Sequence, residues 1–160
     1  MNTDGVTTDA ATTNAATTNA ATTQRGGCLC GAVRFTAEVA RKAIDACHCG
    51  MCRRWQGGPA MAVMVDGPPV FADAGALGVY RSSAWAERCF CTTCGTALAY
   101  RTLDGHHHAI MAGALDDLDG FAFTMEIFID DKPAWYAFEG DHPRLTGAEV
   151  MALFAGEAAS

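Results

Sequence analysis

Between residues 33 and 39 the chain alternates strictly, with Val33, Phe35, Ala37 and Val39 apolar and Arg34, Thr36 and Glu38 polar. A period of two is that of a strand with one buried face. Short apolar segments at 44–49 and 60–65 predict two more strands, the second closed by Asp66-Gly67-Pro68-Pro69, a turn in which Gly permits positive φ and Pro withholds a ladder donor. Further strands are expected at 77–80, 85–90, 96–100, 107–111 and 123–129. Short strands at near-regular spacing, with no helical pattern between them, predict a mainly β fold built largely of antiparallel pairs.

One helix is expected, at the C-terminus. Thr146 and Glu149 have the spacing of a capping box, and Leu145 and Val150 that of a hydrophobic staple. Val150, Leu153 and Phe154 are the apolar positions with which this helix is expected to close the sheet. Residues 10–23 repeat a five-residue Ala/Thr/Asn unit that fits neither helix nor strand, and residues 1–24 contain no Lys, Arg or aromatic side chain. Residues 1–24 therefore read as a disordered tail and residues 25–160 as a single domain.

Composition narrows the function. Half of the 160 residues are apolar, enough for a core, yet no apolar run approaches the length of a membrane span. Eleven basic against eighteen acidic side chains leave a formal charge of −7, and the only adjacent basic pairs are Arg41-Lys42 and Arg53-Arg54, so nucleic acid is not an expected partner. The N-terminus has neither the basic nor the apolar region of a secretory signal, and a cytoplasmic chain with reduced thiols is expected.

The eight cysteines then carry the chemistry. Seven fall into Cys28-Leu29-Cys30, Cys47-His48-Cys49-Gly50-Met51-Cys52 and Cys91-Thr92-Thr93-Cys94. A C-x-C pair on a strand and a C-x-x-C pair around a tight turn each present two sulfurs to one ion, and Gly95 supplies the backbone freedom of such a turn. A closed structural zinc takes four ligands; a catalytic zinc takes three and keeps one position open. Cys28, Cys30, Cys91 and Cys94 make up the first kind, and Cys47, Cys49 and Cys52 the second, for two Zn²⁺ in all. Cys89 leaves an alternative, because as a fourth ligand to the second ion it would make both sites structural and the domain a non-catalytic zinc-stabilised interaction module. A redox role for Cys91 and Cys94 lacks the βαβ setting such dithiols use.

His48, between two ligands on an extended segment, is expected to face away from them in a supporting role. His106, His107 and His108 follow a turn signal, Asp104-Gly105, and read as a solvated loop. Trp55, Trp85 and Trp135 read as core or rim aromatics. Arg53 and Arg54 stand where they could offset the net −1 of three thiolates and a zinc ion, or bind a carboxylate of the substrate.

Taken in order, Gly26-Gly27-Cys28-Leu29-Cys30-Gly31-Ala32-Val33, the Cys47 to Cys52 motif with Arg53, and Arg88-Cys89-Phe90-Cys91-Thr92-Thr93-Cys94-Gly95-Thr96 resemble the successive signatures of the glutathione-dependent formaldehyde-activating (Gfa) / centromere protein V family. The resemblance continues through Gly113-Ala114-Leu115-Asp116-Asp117 and residues 127–135. It implies a β-tent of coiled sheets, a structural zinc on Cys28, Cys30, Cys91 and Cys94, and a catalytic zinc on Cys47, Cys49 and Cys52, with Cys89 outside both. It also implies carbon–sulfur lyase activity on glutathione or small-thiol adducts such as S-(hydroxymethyl)glutathione. The chain departs from the family pattern at Glu126, where members commonly carry His.

Overall fold

The computed structural model describes residues 21–72 and 74–157, with side chains described as far as Phe154. Its strands are β1 (Thr22–Gly27), β2 (Arg34–Val39), β3 (Ala43–Cys47), β4 (Ala60–Val65), β5 (Val70–Phe71), β6 (Leu77–Arg81), β7 (Ala86–Cys91), β8 (Ala97–Thr102), β9 (His108–Met111), β10 (Ala122–Ile127) and β11 (Arg144–Leu145). The helices are α1 (Gly50–Gln56) and α2 (Gly147–Glu157). The fold is mainly β with a short C-terminal helix, as the pattern predicts. No described helix is long and apolar enough to cross a membrane.

Two sheets share the core. One has the order β1-β2-β5 and the other β11-β10-β3-β4-β9-β8-β7-β6. Pairing is antiparallel except at one end of the large sheet, where β10 runs parallel to both β3 and β11. The alternation of β2 buries Phe35, Ala37 and Val39, which meet Val63, Leu98 and Ile110. Val63, Leu98 and Ile110 are wholly excluded from solvent, and each such side chain contributes roughly 1.5–3 kcal/mol. At Gly26 strand β1 passes so close to the turn after β9 that a Cβ would stand 2.3 Å from the Ala114 carbonyl oxygen and, within its own sheet, 2.5 Å from Phe35 Cζ, so only glycine fits.

The structure departs from the sequence pattern in several places. Strand β1 starts at Thr22, inside the segment read as tail; its residues 22–24 pair with Val39, Glu38 and Ala37. The remainder of the tail reading, residues 1–20, lies outside the described residues. The strand expected at 44–49 stops at Cys47, because Cys49 caps α1 and takes the Cys52 N–H on its sulfur at 3.4 Å. A helix of seven residues with no apolar stripe gives no periodic signal. Strand β10 ends at Ile127 because Phe128 adopts φ 56°, a left-handed conformation rare outside glycine.

Helix α2 begins as expected. Glu149 Oε2 accepts from the Thr146 N–H at 2.7 Å, and the Glu149 N–H returns to Thr146 Oγ1 at 3.3 Å. Its expected packing does not hold, for Val150 is buried while Leu153 and Phe154 remain exposed. The helix rests on β11 and on the turn at Ile129–Asp131, and farther along the Phe154 ring lies edge-on to His107.

Candidate metal centres

Five strands of the large sheet end or start at one rim. Cys47 closes β3, Ala60 opens β4, Met111 closes β9, Ala97 opens β8 and Cys91 closes β7. Three strands stand between β3 and β7 in the sheet, and the cysteines at the rim fall into two separate groups.

At the β7 end, Cys91 is followed by a turn in which Gly95, at φ 77°, donates its N–H to the Cys91 carbonyl at 2.9 Å. This folds Cys94 back beside Cys91. The small sheet delivers Cys28 and Cys30 just after β1, tied down by Leu29 N–H donating to Thr96 Oγ1 at 3.1 Å. The four sulfurs lie within 4.8 Å of one another. Cys28 and Cys30 are 3.5 Å apart and Cys30 and Cys91 3.8 Å apart. A zinc–sulfur bond of about 2.3 Å sets tetrahedral edges of about 3.8 Å, so spacing and donor chemistry both fit a closed four-thiolate site. The thiols compete for charge. The Ala32 N–H favours the Cys30 thiolate, but the neighbouring Cys28 and Cys94 sulfurs outweigh it and push the pKa up to about 12. Hydrogen bonds from Thr96 bring Cys94 down to about 5.

At the β3 end, Cys47 comes from the strand terminus, Cys49 from the helix cap and Cys52 from the first turn of α1, and their sulfurs also lie within 4.8 Å of one another. Cys47 and Cys52 thiols donating to Cys49 lower its pKa to about 2, and the same Cys49 sulfur raises that of Cys47. Three sulfurs this close repel one another as thiolates, and a divalent cation among them removes that repulsion. The set therefore fits a soft divalent ion with three protein ligands. Cys89 belongs to neither group. It is 1% exposed in β7, opposite Val79 and Ala99, and burial raises its pKa.

His48 turns away from the sulfurs. It is wholly buried, with Nδ1 2.7 Å from the Tyr136 hydroxyl and Nε2 2.8 Å from Glu126 Oε2. The other Glu126 oxygen accepts from His142 Nε2 at 2.7 Å and Arg144 Nε at 2.9 Å. Sequence reasoning did not find this network, whose members come from four separate segments. The one charged residue in the run 123–129, a glutamate, was the available signal.

Arg53 and Arg54 part company. Arg53 Nε donates to the His48 carbonyl at 2.8 Å, while Arg54 is exposed. The guanidinium that reaches a sulfur is Arg88, buried in β7, with Nη2 3.5 Å from Cys52 Sγ. An arginine between Glu87 and Cys89, within a segment expected to be a strand, was the overlooked cue. The solvated-loop reading of the histidines needs correcting at His108, which opens β9 and is buried, its Nε2 3.1 Å from the Gly105 carbonyl oxygen. Trp55 stacks on Tyr80, whereas Trp85 and Trp135 are exposed. Between the two centres, at the starts of β4 and β8 and the end of β9, lies a cavity of about 320 Å³ lined by Gln56, Pro59, Met61, Thr96 and Met111 among others.

Residues 23–131 match the family described as glutathione-dependent formaldehyde-activating enzyme, and this span holds all seven clustered cysteines. The chain belongs to that family. It is 35% identical over 127 residues to an uncharacterized lyase of Schizosaccharomyces pombe, covering 79% of this chain and 93% of the yeast protein. A Halomonas elongata protein with the provisional name of a glutathione-dependent formaldehyde-activating enzyme is 28% identical over 127 residues, covering 71% of this chain and 80% of its own. A crystal structure of a Rhodobacter sphaeroides protein from a structural genomics programme superposes with a TM-score of 0.50 at 21% identity, covering 75% of this chain and 98% of that one. That likeness concerns the fold. Family membership makes the chain an enzyme of lyase type with a glutathione-related role.

Proposed function

We propose that the chain is a zinc-dependent carbon–sulfur lyase acting on glutathione or small-thiol adducts, with S-(hydroxymethyl)glutathione as the reference substrate. The observation that carries this reading is the difference between the two sulfur groups. One has four sulfurs, a complete tetrahedral set, and the other has three, with no fourth His, Cys, Asp or Glu ligand atom grouped with them among the described residues. A module needing zinc only for its fold has use for closed sites alone. The exclusion of Cys89 from both groups supports the enzyme over that alternative.

In this reading Cys28, Cys30, Cys91 and Cys94 hold the structural ion, and Cys47, Cys49 and Cys52 hold the catalytic one. When bound at the three-sulfur site, zinc supplies a Lewis-acid position for the sulfur or oxygen of the adduct. In the cleavage direction the carbon–sulfur bond breaks, the hydroxyl carbon becomes the carbonyl of formaldehyde, and the hydroxyl proton is transferred to yield the glutathione thiol. The chain's own part is placement. Helix α1 fixes Cys49 and Cys52 through the cap hydrogen bond, and Arg53 clamps the intervening backbone at His48. In this reading the exposed Arg54 on the same helix meets a substrate carboxylate.

The test is the exchange between free and adducted glutathione in the presence of formaldehyde, followed by NMR exchange spectroscopy. The zinc-loaded protein is expected to speed exchange, and Cys52→Ser to abolish that gain while keeping one zinc per chain. An exchange rate indifferent to the protein, or to Cys52→Ser, overturns the reading.

A further inference from the structure

Arg88 is a buried cation without a carboxylate. It is 4% exposed, and among the described residues no Asp or Glu lies within ion-pair reach of it. The adjacent acid, Glu87, is taken by Arg101, whose Nε and Nη2 donate to Glu87 Oε2 at 3.0 and 2.9 Å. The contacts of Arg88 are of two kinds. Its guanidinium lies over the rings of Trp55 and Tyr100, 5.9 and 5.5 Å from their centroids, and Nη2 points at Cys52 Sγ. Ring faces attract a cation but carry no net charge, so they do not neutralise it. A guanidinium removed from water needs an anion, and the one within reach is sulfur.

The charge count closes on that sulfur. Three thiolates and a divalent cation total −1, and one guanidinium brings the centre to zero. The geometry is also selective, because the N–H is aimed at Cys52 alone of the three. A hydrogen bond to an ionised acceptor is about twice as strong as one to a neutral acceptor, so the contact is strongest with a metal-bound sulfur and fixes the direction of Cys52 Sγ. Trp55 stands one turn after Cys52 on α1 and Tyr100 lies opposite Arg88 in the β7–β8 pair. The helix that carries the ligand therefore also carries half of the sandwich that aims the arginine.

We propose that Arg88 is the counter-charge of the Cys47, Cys49 and Cys52 centre, a positioning residue that orients Cys52 Sγ toward the bound ion. The proposal rests on the reading that these three cysteines bind metal, and the experiment separates the two. The protein is loaded with ¹¹³Cd²⁺ and studied by NMR. Wild type should give two ¹¹³Cd resonances, one of them coupled through the hydrogen bond to a guanidinium proton of Arg88. In Arg88→Met that resonance should shift and the affinity of its site fall about 10- to 100-fold, while the other site keeps its resonance and affinity. A single ¹¹³Cd resonance in wild type overturns the metal reading together with the proposal. Two resonances with no coupling to Arg88 overturn the proposal alone, as does a folded Arg88→Met protein with both resonances and affinities unchanged. Should Arg88→Met fail to fold, the wild-type coupling decides.

Discussion

Glu126 Oε2 stands 2.8 Å from His48 Nε2, a hydrogen bond between side chains 78 residues apart that are 1% and 0% exposed. It joins β10 to the segment that carries Cys47 and Cys49, and so ties the three-sulfur centre to the parallel end of the large sheet.

This pair sets a pH dependence. Burial alone would raise the Glu126 pKa, but hydrogen bonds from His142, His48 and Arg144 outweigh it and hold the carboxyl below its ordinary range. A depressed folded pKa stabilises above the unfolded value, and the contribution is lost as pH falls. Burial also depresses the His48 pKa, despite Glu126, so acid disfavours the folded state there as well, beginning as pH drops below the ordinary histidine value. Glu126→Gln should lower stability at pH 7 by about 1–3 kcal/mol and flatten the decline only below the ordinary glutamate value, where wild type loses the carboxylate, as read from urea midpoints on both sides of that value.

The two sulfur groups should respond differently to loss of a ligand. Cys94→Ser should leave one metal ion per chain and lower stability by several kcal/mol, since the four-sulfur group ties the small sheet to the end of β7. Cys52→Ser should also leave one ion, with a much smaller stability loss. Metal analysis alongside calorimetric melting distinguishes the two.

The neighbouring arginines should separate in the same way. Arg53→Ala removes the donor to the His48 carbonyl and should cost about 1 kcal/mol in denaturant unfolding. Arg54→Ala should stay within about 0.5 kcal/mol of wild type. If Arg54 meets the substrate carboxylate, its replacement raises KM and leaves kcat unchanged.

At Gly26 an added methyl collides with the Ala114 carbonyl, where backbone must move. Gly26→Ala should cost about 1–3 kcal/mol or more, and by shifting Cys28 two residues later it should loosen the four-sulfur site. The measurement is the melting temperature together with the rate of metal release to a chelator.

Much of this was legible in sequence because the signals were local. Alternation at Val33 to Val39 marks β2, Thr146 and Glu149 mark the start of α2, and the spacing of seven cysteines anticipates the two groups that the fold brings together. What escaped depends on contacts between distant segments. Strand β1 begins within a Thr/Ala tract because β2 offers it a partner. Helix α1 is too short to display a period. The isolated glutamate at 126 and arginine at 88 acquire meaning only when the sheet sets His48, His142 and Arg144 around one and Cys52 beside the other. Leu153 and Phe154 look like a packing face, but the helix docks through Val150.

The most direct test of the two-centre account is zinc K-edge X-ray absorption on protein purified without exposure to oxygen, with the metal content measured on the same sample. The account predicts two zinc ions per chain sharing seven sulfur ligands, with one lighter oxygen or nitrogen donor completing the second site. A single zinc ion, or four sulfurs around each of two, would contradict it.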